Sequence, residues 1–132
     1  MIVVDASVVV DALTHRDHAP LRAELAAQRL HAPSLIDYEV ASALRGLVLG
    51  KALKPQRAAE ALGDFLDLGI RRHPQTRKLL ATTWRVHNRL SAYDASYVAV
   101  ADALSAPLWT LDPHLARAAS GLVEVVTPRR SA

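Results

Sequence analysis

The sequence predicts an α/β fold: a mostly parallel central sheet flanked by helices. Three observations predict it. Short β-branched runs such as Ile2-Val3-Val4 carry no polar residue at helical spacing, which is the pattern of a strand buried on both faces. Longer segments repeat apolar residues at helical spacing. The two kinds of segment alternate along the chain, and such alternation places successive strands parallel.

The first strand ends at Asp5, after which residues 6–13 are apolar with polar breaks at Ser7 and Asp11, a short helix capped by Asp5 or Ser7. A turn-prone stretch at 14–20 leads to an amphipathic helix over 21–30. Pro33-Ser34 opens the next helix, which runs through Leu35, Ile36, Val40, Ala43, Leu44 and Leu47 to a stop near Gly50. Pro55 begins another, carrying Ala58, Ala61, Leu62, Phe65 and Leu66 and ending near Gly69. Residues 70–73 form a brief strand. Pro74 initiates a helix over 75–89 with Leu79, Leu80, Trp84 and Val86 on one side and arginines on the other, and Asp94 opens an alanine-rich helix to about Ser105. Strands over 107–111 and 122–127 complete four in all.

The 132 residues, 51% hydrophobic and 22% charged, fit one domain, assigned to 1–128, with a loose tail at 129–132. The absence of cysteine excludes a disulfide scaffold, a thiol nucleophile and thiolate zinc sites. Sixteen Lys+Arg against 13 Asp+Glu give a net charge of +3, which permits nucleic acid as a partner without demanding it. Neither a signal peptide nor an apolar run long enough to span a membrane is present, so the expectation is a soluble, cytoplasmic protein with no membrane partner.

The chemistry resides in carboxylates. Asp5 and Asp112 each end an apolar strand, at the sheet edge where open parallel sheets bind ligands, although either acid also serves as an ordinary helix cap. Glu39 falls on the apolar stripe of its helix, where a charge needs an arginine, a hydrogen-bond network or a metal beside it; Asp37 points elsewhere, to solvent. Asp94 stands where an N-cap would, yet its i+4 and i+7 neighbours, Val98 and Ala101, aim it at the protein body. Four acids from four segments repel one another unless a divalent cation neutralises them. All-oxygen ligands suit Mg²⁺ or Mn²⁺, and such ions orient a phosphodiester and acidify the attacking water, which is nuclease chemistry. No glycine-rich phosphate loop or Ser/His/Asp constellation offers another route.

MIVVDASV at 1–8, PSLIDYEVASAL at 33–44, LSAYDASYVAV at 90–100 and LWTLD at 108–112, in that order, resemble the PIN-domain ribonucleases, and among them the VapC toxins. The resemblance spans residues 1–127. It implies a PIN-like three-layer fold in which Asp5, Glu39, Asp94 and Asp112 bind Mg²⁺ or Mn²⁺. It adds Ser7 and Thr110 as hydroxyls that orient a carboxylate or the attacking water, against the plainer alternative of capping and turn bonding. It further implies endonucleolytic cleavage of RNA, tRNA or ribosomal RNA being usual, a VapB-type antitoxin and a homodimer.

Several residues compete for attention. Arg71, Arg72, Arg77, Lys78, Arg85, Arg89, Arg129 and Arg130 are candidate phosphate contacts, with a solvated helix face as the alternative. Arg45, six residues after Glu39, is awkwardly spaced to pair with it. Trp84 and Trp109 fall on apolar patterns and read as core, whereas Tyr93 beside Asp94 is the better stacking candidate. His114 falls near the crevice at a helix start. His15 and His18 flank Asp17 in a polar loop that lacks a third or fourth zinc ligand nearby, which argues against zinc. Two rivals remain: a phosphatase using Asp5 as nucleophile, and an inactive module of the same fold that docks an antitoxin.

Overall fold

The computed structural model describes residues 1–129, so part of the tail expected at 129–132, Arg130 included, lies outside the described residues. Five strands, β1 (Ile2–Val4), β2 (Leu30–Pro33), β3 (Arg71–His73), β4 (Leu108–Trp109) and β5 (Val125–Val126), form one parallel sheet in the order β3-β2-β1-β4-β5. Seven helices flank it: α1 (Ala6–Thr14), α2 (Ala19–Ala26), α3 (Ile36–Leu49), α4 (Pro55–Leu66), α5 (Arg77–Arg85), α6 (Ala92–Leu104) and α7 (Pro113–Ala119). The expected α/β class and parallel sheet are therefore observed.

β2 is the strand that the sequence pattern misses, since residues 21–30 read as one helix. The helix stops at Ala26, and Leu30-His31-Ala32-Pro33 becomes a strand without a single β-branched residue. Its neighbours decide the matter. Ile2 pairs with Leu30 on one side and His31 with Arg71 on the other, and all four residues of β2 are buried. Satisfied backbone groups and burial outweigh weak intrinsic strand preference here.

Three boundaries also move. α3 begins at Ile36 and not at Pro33-Ser34. α5 covers only Arg77–Arg85, capped by the Thr76 hydroxyl, so Pro74 lies outside it. α6 starts at Ala92, with Ser91 as its cap accepting from the Asp94 amide at 3.2 Å. Gly69 ends the α4 segment at φ +69°, a left-handed turn that glycine adopts without strain and that sends the chain into β3.

Val3, Val4, Val8, Val9, Leu108 and Val98 are buried at the centre of the core. α6 packs on β1, β2 and β4, with α5 against it, while α1 packs with α3 and α4. From β1 the chain adds β2 and β3 on one side, then β4 and β5 on the other. The edge between β1 and β4 is thus the point where strand order reverses, and parallel sheets bind ligands at the carboxyl ends of strands at such a point.

Candidate functional site

Asp5 follows β1 directly, and the pairing of Val4 with Trp109 sets it opposite Thr110 at the end of β4. The Asp5 amide donates to the Trp109 carbonyl at 3.2 Å, carrying the strand register one residue further. The Asp5 carboxylate is buried at 5% exposure and caps α1. Its Oδ1 accepts from the Val8 amide at 3.1 Å and the Ser7 hydroxyl at 2.6 Å, and its Oδ2 accepts from the Thr110 hydroxyl. Both hydroxyls serve twice: Ser7 Oγ accepts from the Leu111 amide at 2.9 Å, and Thr110 Oγ1 from the Asp112 amide at 3.0 Å. Ser7 and Thr110 therefore tie the end of β1 to the end of β4 and fix the orientation of one carboxylate.

Glu39 lies one turn into α3, half-buried at the margin of a stripe formed by Ile36, Val40 and Leu44. Ala43, expected on that stripe, is exposed. The partner of Glu39 is the hydroxyl of Tyr97, which donates to Oε1 at 2.6 Å across from α6, so the expected choice between an arginine, a network and a metal is met on the protein side by a phenol. Asp94 is the third residue of α6, and because Ser91 occupies the cap, helix capping does not account for its side chain. Asp112 does cap a helix, α7, through the His114 amide at 2.9 Å.

The four acids feel one another. Burial pushes the Asp5 carboxyl above the usual range, against its three hydrogen bonds, and the charge of Asp112 adds to the rise. Burial likewise raises Glu39, opposed by the Tyr97 hydrogen bond and reinforced by Asp94 and Asp5. Asp94 is raised by burial and by Asp112, with His114 pulling the other way. Burial first, then the hydrogen bond and charge of Glu39 and the charges of Asp5 and Asp94, hold the Tyr97 phenol in its neutral, donating form. Carboxylates whose mutual influence is repulsive form a donor set whose chemistry suits a hard divalent cation.

Tyr97 is the residue that sequence reasoning overlooked. Its signal was present, because i+3 spacing from Asp94 puts it on the same helix face, but its partner is 58 positions away. Asp37, expected in solvent, forms an ion pair with Arg72 at 2.8 Å, and Arg72 also packs over Phe65. That removes Arg72 from the free phosphate contacts. Arg89 is similarly engaged, donating to the Ala118 carbonyl at 2.8 Å, whereas Arg71, Arg77, Lys78, Arg85 and Arg129 are exposed. Trp109 packs against the core as expected; Trp84 does not, being 69% exposed and stacked on His87. Tyr93 and His114 are exposed beside the acids, and Arg45 is exposed on α3. His15 and His18 do acquire a third potential ligand, contrary to expectation: it is Asp11.

The fold and these four segments define a class. The model described as PIN domain matches residues 2–121, and the chain belongs to the PIN-domain family. It is 44% identical over 115 residues to ribonuclease VapC9 of Mycobacterium tuberculosis, covering 87% of this chain and 88% of that one. It is 42% identical over 122 residues to ribonuclease VapC1 of the same species, covering 91% of each. The likeness to VapC proteins drawn from the motifs is thus borne out over nearly the whole chain. A solved toxin-antitoxin complex from Klebsiella pneumoniae shares the fold, with a TM-score of 0.68 over 99% of this chain and 100% of that one at 18% identity.

Proposed function

We propose that this protein is a metal-dependent endoribonuclease toxin that hydrolyses RNA phosphodiester bonds with Asp5, Glu39, Asp94 and Asp112 as ligands of Mg²⁺ or Mn²⁺. The observation that supports the reading is that acids from four segments influence one another, each of Asp5, Glu39 and Asp94 being raised by another acid of the group. The names of the relatives, ribonucleases, support the reaction class. When bound, the divalent ion supplies positive charge to the scissile phosphate and acidifies the attacking water. The chain does the rest. Ser7 and Thr110 hold Asp5 in one orientation, Tyr97 holds Glu39, and Asp94 enters from the first turn of α6.

An aspartate-nucleophile phosphatase is disfavoured by the same observation. A nucleophilic Asp5 leaves the raised carboxyls of Glu39 and Asp94 without a part in the reaction, whereas a shared cation accounts for them together.

The partners follow from the reading. RNA, of the tRNA or ribosomal class, is the substrate, and exposed Arg71, Arg77, Lys78 and Arg85 supply positive charge for its backbone. A VapB-type antitoxin is the protein partner; the exposed Leu49, Leu62 and Leu66 of α3 and α4 support an apolar docking surface. Exposed Leu80 and Trp84 on α5 support a homodimer. No helix among the described residues is long and apolar enough to cross a membrane, in keeping with a cytoplasmic site of action. In this reading residues 1–128 form the PIN domain.

Incubating purified protein with RNA in Mn²⁺, in chelator and as the Asp94→Asn variant tests this reading. Cleavage in the first arm alone supports it. Cleavage that survives chelator or the substitution contradicts it.

A further inference from the structure

We propose that Asp11, His15 and His18 form a second metal site, selective for a borderline divalent ion such as Zn²⁺ and separate from the acidic crevice. α1 carries Asp11 in its last turn, His15 follows the helix as its C-cap, and the single 3-10 turn Arg16–His18 folds back so that His18 returns to the helix end. One ligand atom from each of the three lies within 4.8 Å of the other two.

The geometry is that of ligands facing a common point. His18 Nδ1 lies 2.5 Å from Asp11 Oδ2 and His15 Nδ1 lies 3.3 Å from Asp11 Oδ1. The two imidazoles stack at 5.0 Å between centroids with their planes 28° apart, and both turn Nδ1 toward Asp11. The main-chain carbonyl of Asp11, 3.2 and 3.3 Å from the same two nitrogens, adds an oxygen at the focus. Tetrahedral zinc, with bonds of about 2.0–2.2 Å, holds its ligand atoms roughly 3.4 Å apart, so a movement of about 1 Å in the His18 to Asp11 pair admits the ion.

Burial gives the site an inner and an outer side. Asp11 and His18 are buried, at 6% and 5% exposure, while the His15 side chain is 57% exposed. Two ligands are thus held by the core and the third closes from solvent, leaving a position open to water. Two imidazoles and one carboxylate favour Zn²⁺, Ni²⁺ or Co²⁺ over the Mg²⁺ or Mn²⁺ suited to an all-carboxylate site. Six residues of helix separate Asp11 from Asp5, roughly 9 Å along the axis, so the two centres share α1 without sharing a ligand. An ion here fastens the end of α1 to the turn that leads into α2.

The test is calorimetric titration of Zn²⁺ into the metal-stripped protein, with imidazole ¹⁵N spectra recorded on the same samples. The expected result is a Zn²⁺ binding event in which the Nδ1 resonances of His15 and His18 shift together. His15→Ala is expected to weaken that binding by more than about tenfold, while Asp94→Asn retains it. Because His18 is buried, His18→Ala risks the local fold, and the exposed His15 carries the decision. No zinc binding by the wild type, full affinity in His15→Ala, or loss of the site in Asp94→Asn overturns the proposal. RNA cleavage is not the readout, so failure here leaves the nuclease reading standing.

Discussion

Tyr97 donates its hydroxyl hydrogen to Glu39 at 2.6 Å, joining α6 to α3. Removing that oxygen by Tyr97→Phe leaves the ring packed and costs about 1 kcal/mol of stability, the ordinary net value of one hydrogen bond. Because the bond opposes the upward shift of Glu39, the variant raises that carboxyl further, so protons compete more strongly with a divalent ion as pH falls. Mn²⁺ titration at two pH values checks this. The deficit should shrink as pH rises, and a deficit independent of pH would mean that Tyr97 acts by packing alone.

Thr110 and Ser7 hold the same carboxylate but differ in burial. Thr110 is fully buried, so Thr110→Val deprives Asp5 Oδ2 and the Asp112 amide of their partner where water cannot replace it, at a cost of about 1–3 kcal/mol. Ser7 is half-buried, and Ser7→Ala should cost less, about 1 kcal/mol. Denaturant unfolding of the two variants gives the order directly.

Asparagine caps helices about as well as aspartate, so Asp5→Asn and Asp112→Asn preserve the starts of α1 and α7 while removing charge. Cleavage should fall on the order of 100-fold or more for Asp5→Asn and Asp94→Asn, and less for Asp112→Asn. Circular dichroism should show all three folded. Rapid RNA cleavage by a folded Asp5→Asn protein would remove Asp5 from the reaction.

The raised carboxyls also predict a pH dependence for the metal-free protein. In the folded state Asp5, Glu39 and Asp94 titrate above their ordinary values of 3.8, 4.5 and 3.8, so the folded chain binds more protons than the unfolded chain in the window above those values. Stability therefore falls as pH rises through that window. His31 and His73, both lowered by burial first, work in the opposite direction below 6.5, because there the unfolded state takes the extra proton. The difference between wild type and Asp5→Asn cancels the histidines. In chelator, Asp5→Asn should gain stability relative to wild type as pH is raised from about 4 to 7. A constant difference would show that Asp5 titrates normally.

Much of the fold was legible because its rules are local. β1 announces itself by three β-branched or branched apolar residues, and α4 by its opening Pro55 and its apolar spacing. β2 was not, since it exists by virtue of pairing with β1 and β3, neither of which is visible in residues 30–33. The acids stood out because a charge at a strand end or a stripe margin is anomalous in isolation. Their supporting contacts were hidden for the opposite reason: Tyr97 and Glu39 are ordinary residues until the fold brings them together across 58 positions. Asp11 and His15 lie in between, because i+4 spacing was readable once α1 was known to extend to Thr14. Trp84 misled because an apolar residue at helical spacing is assigned to the core, and here that side chain is exposed.

Line broadening by substoichiometric Mn²⁺ in a backbone amide spectrum locates a bound hard cation without requiring activity. If the four carboxylates share one ion, the amides of Asp5, Glu39, Asp94 and Asp112 should broaden together, and Asp94→Asn should abolish the effect at all four. Broadening that spares these amides, or that persists unchanged in Asp94→Asn, would contradict the account.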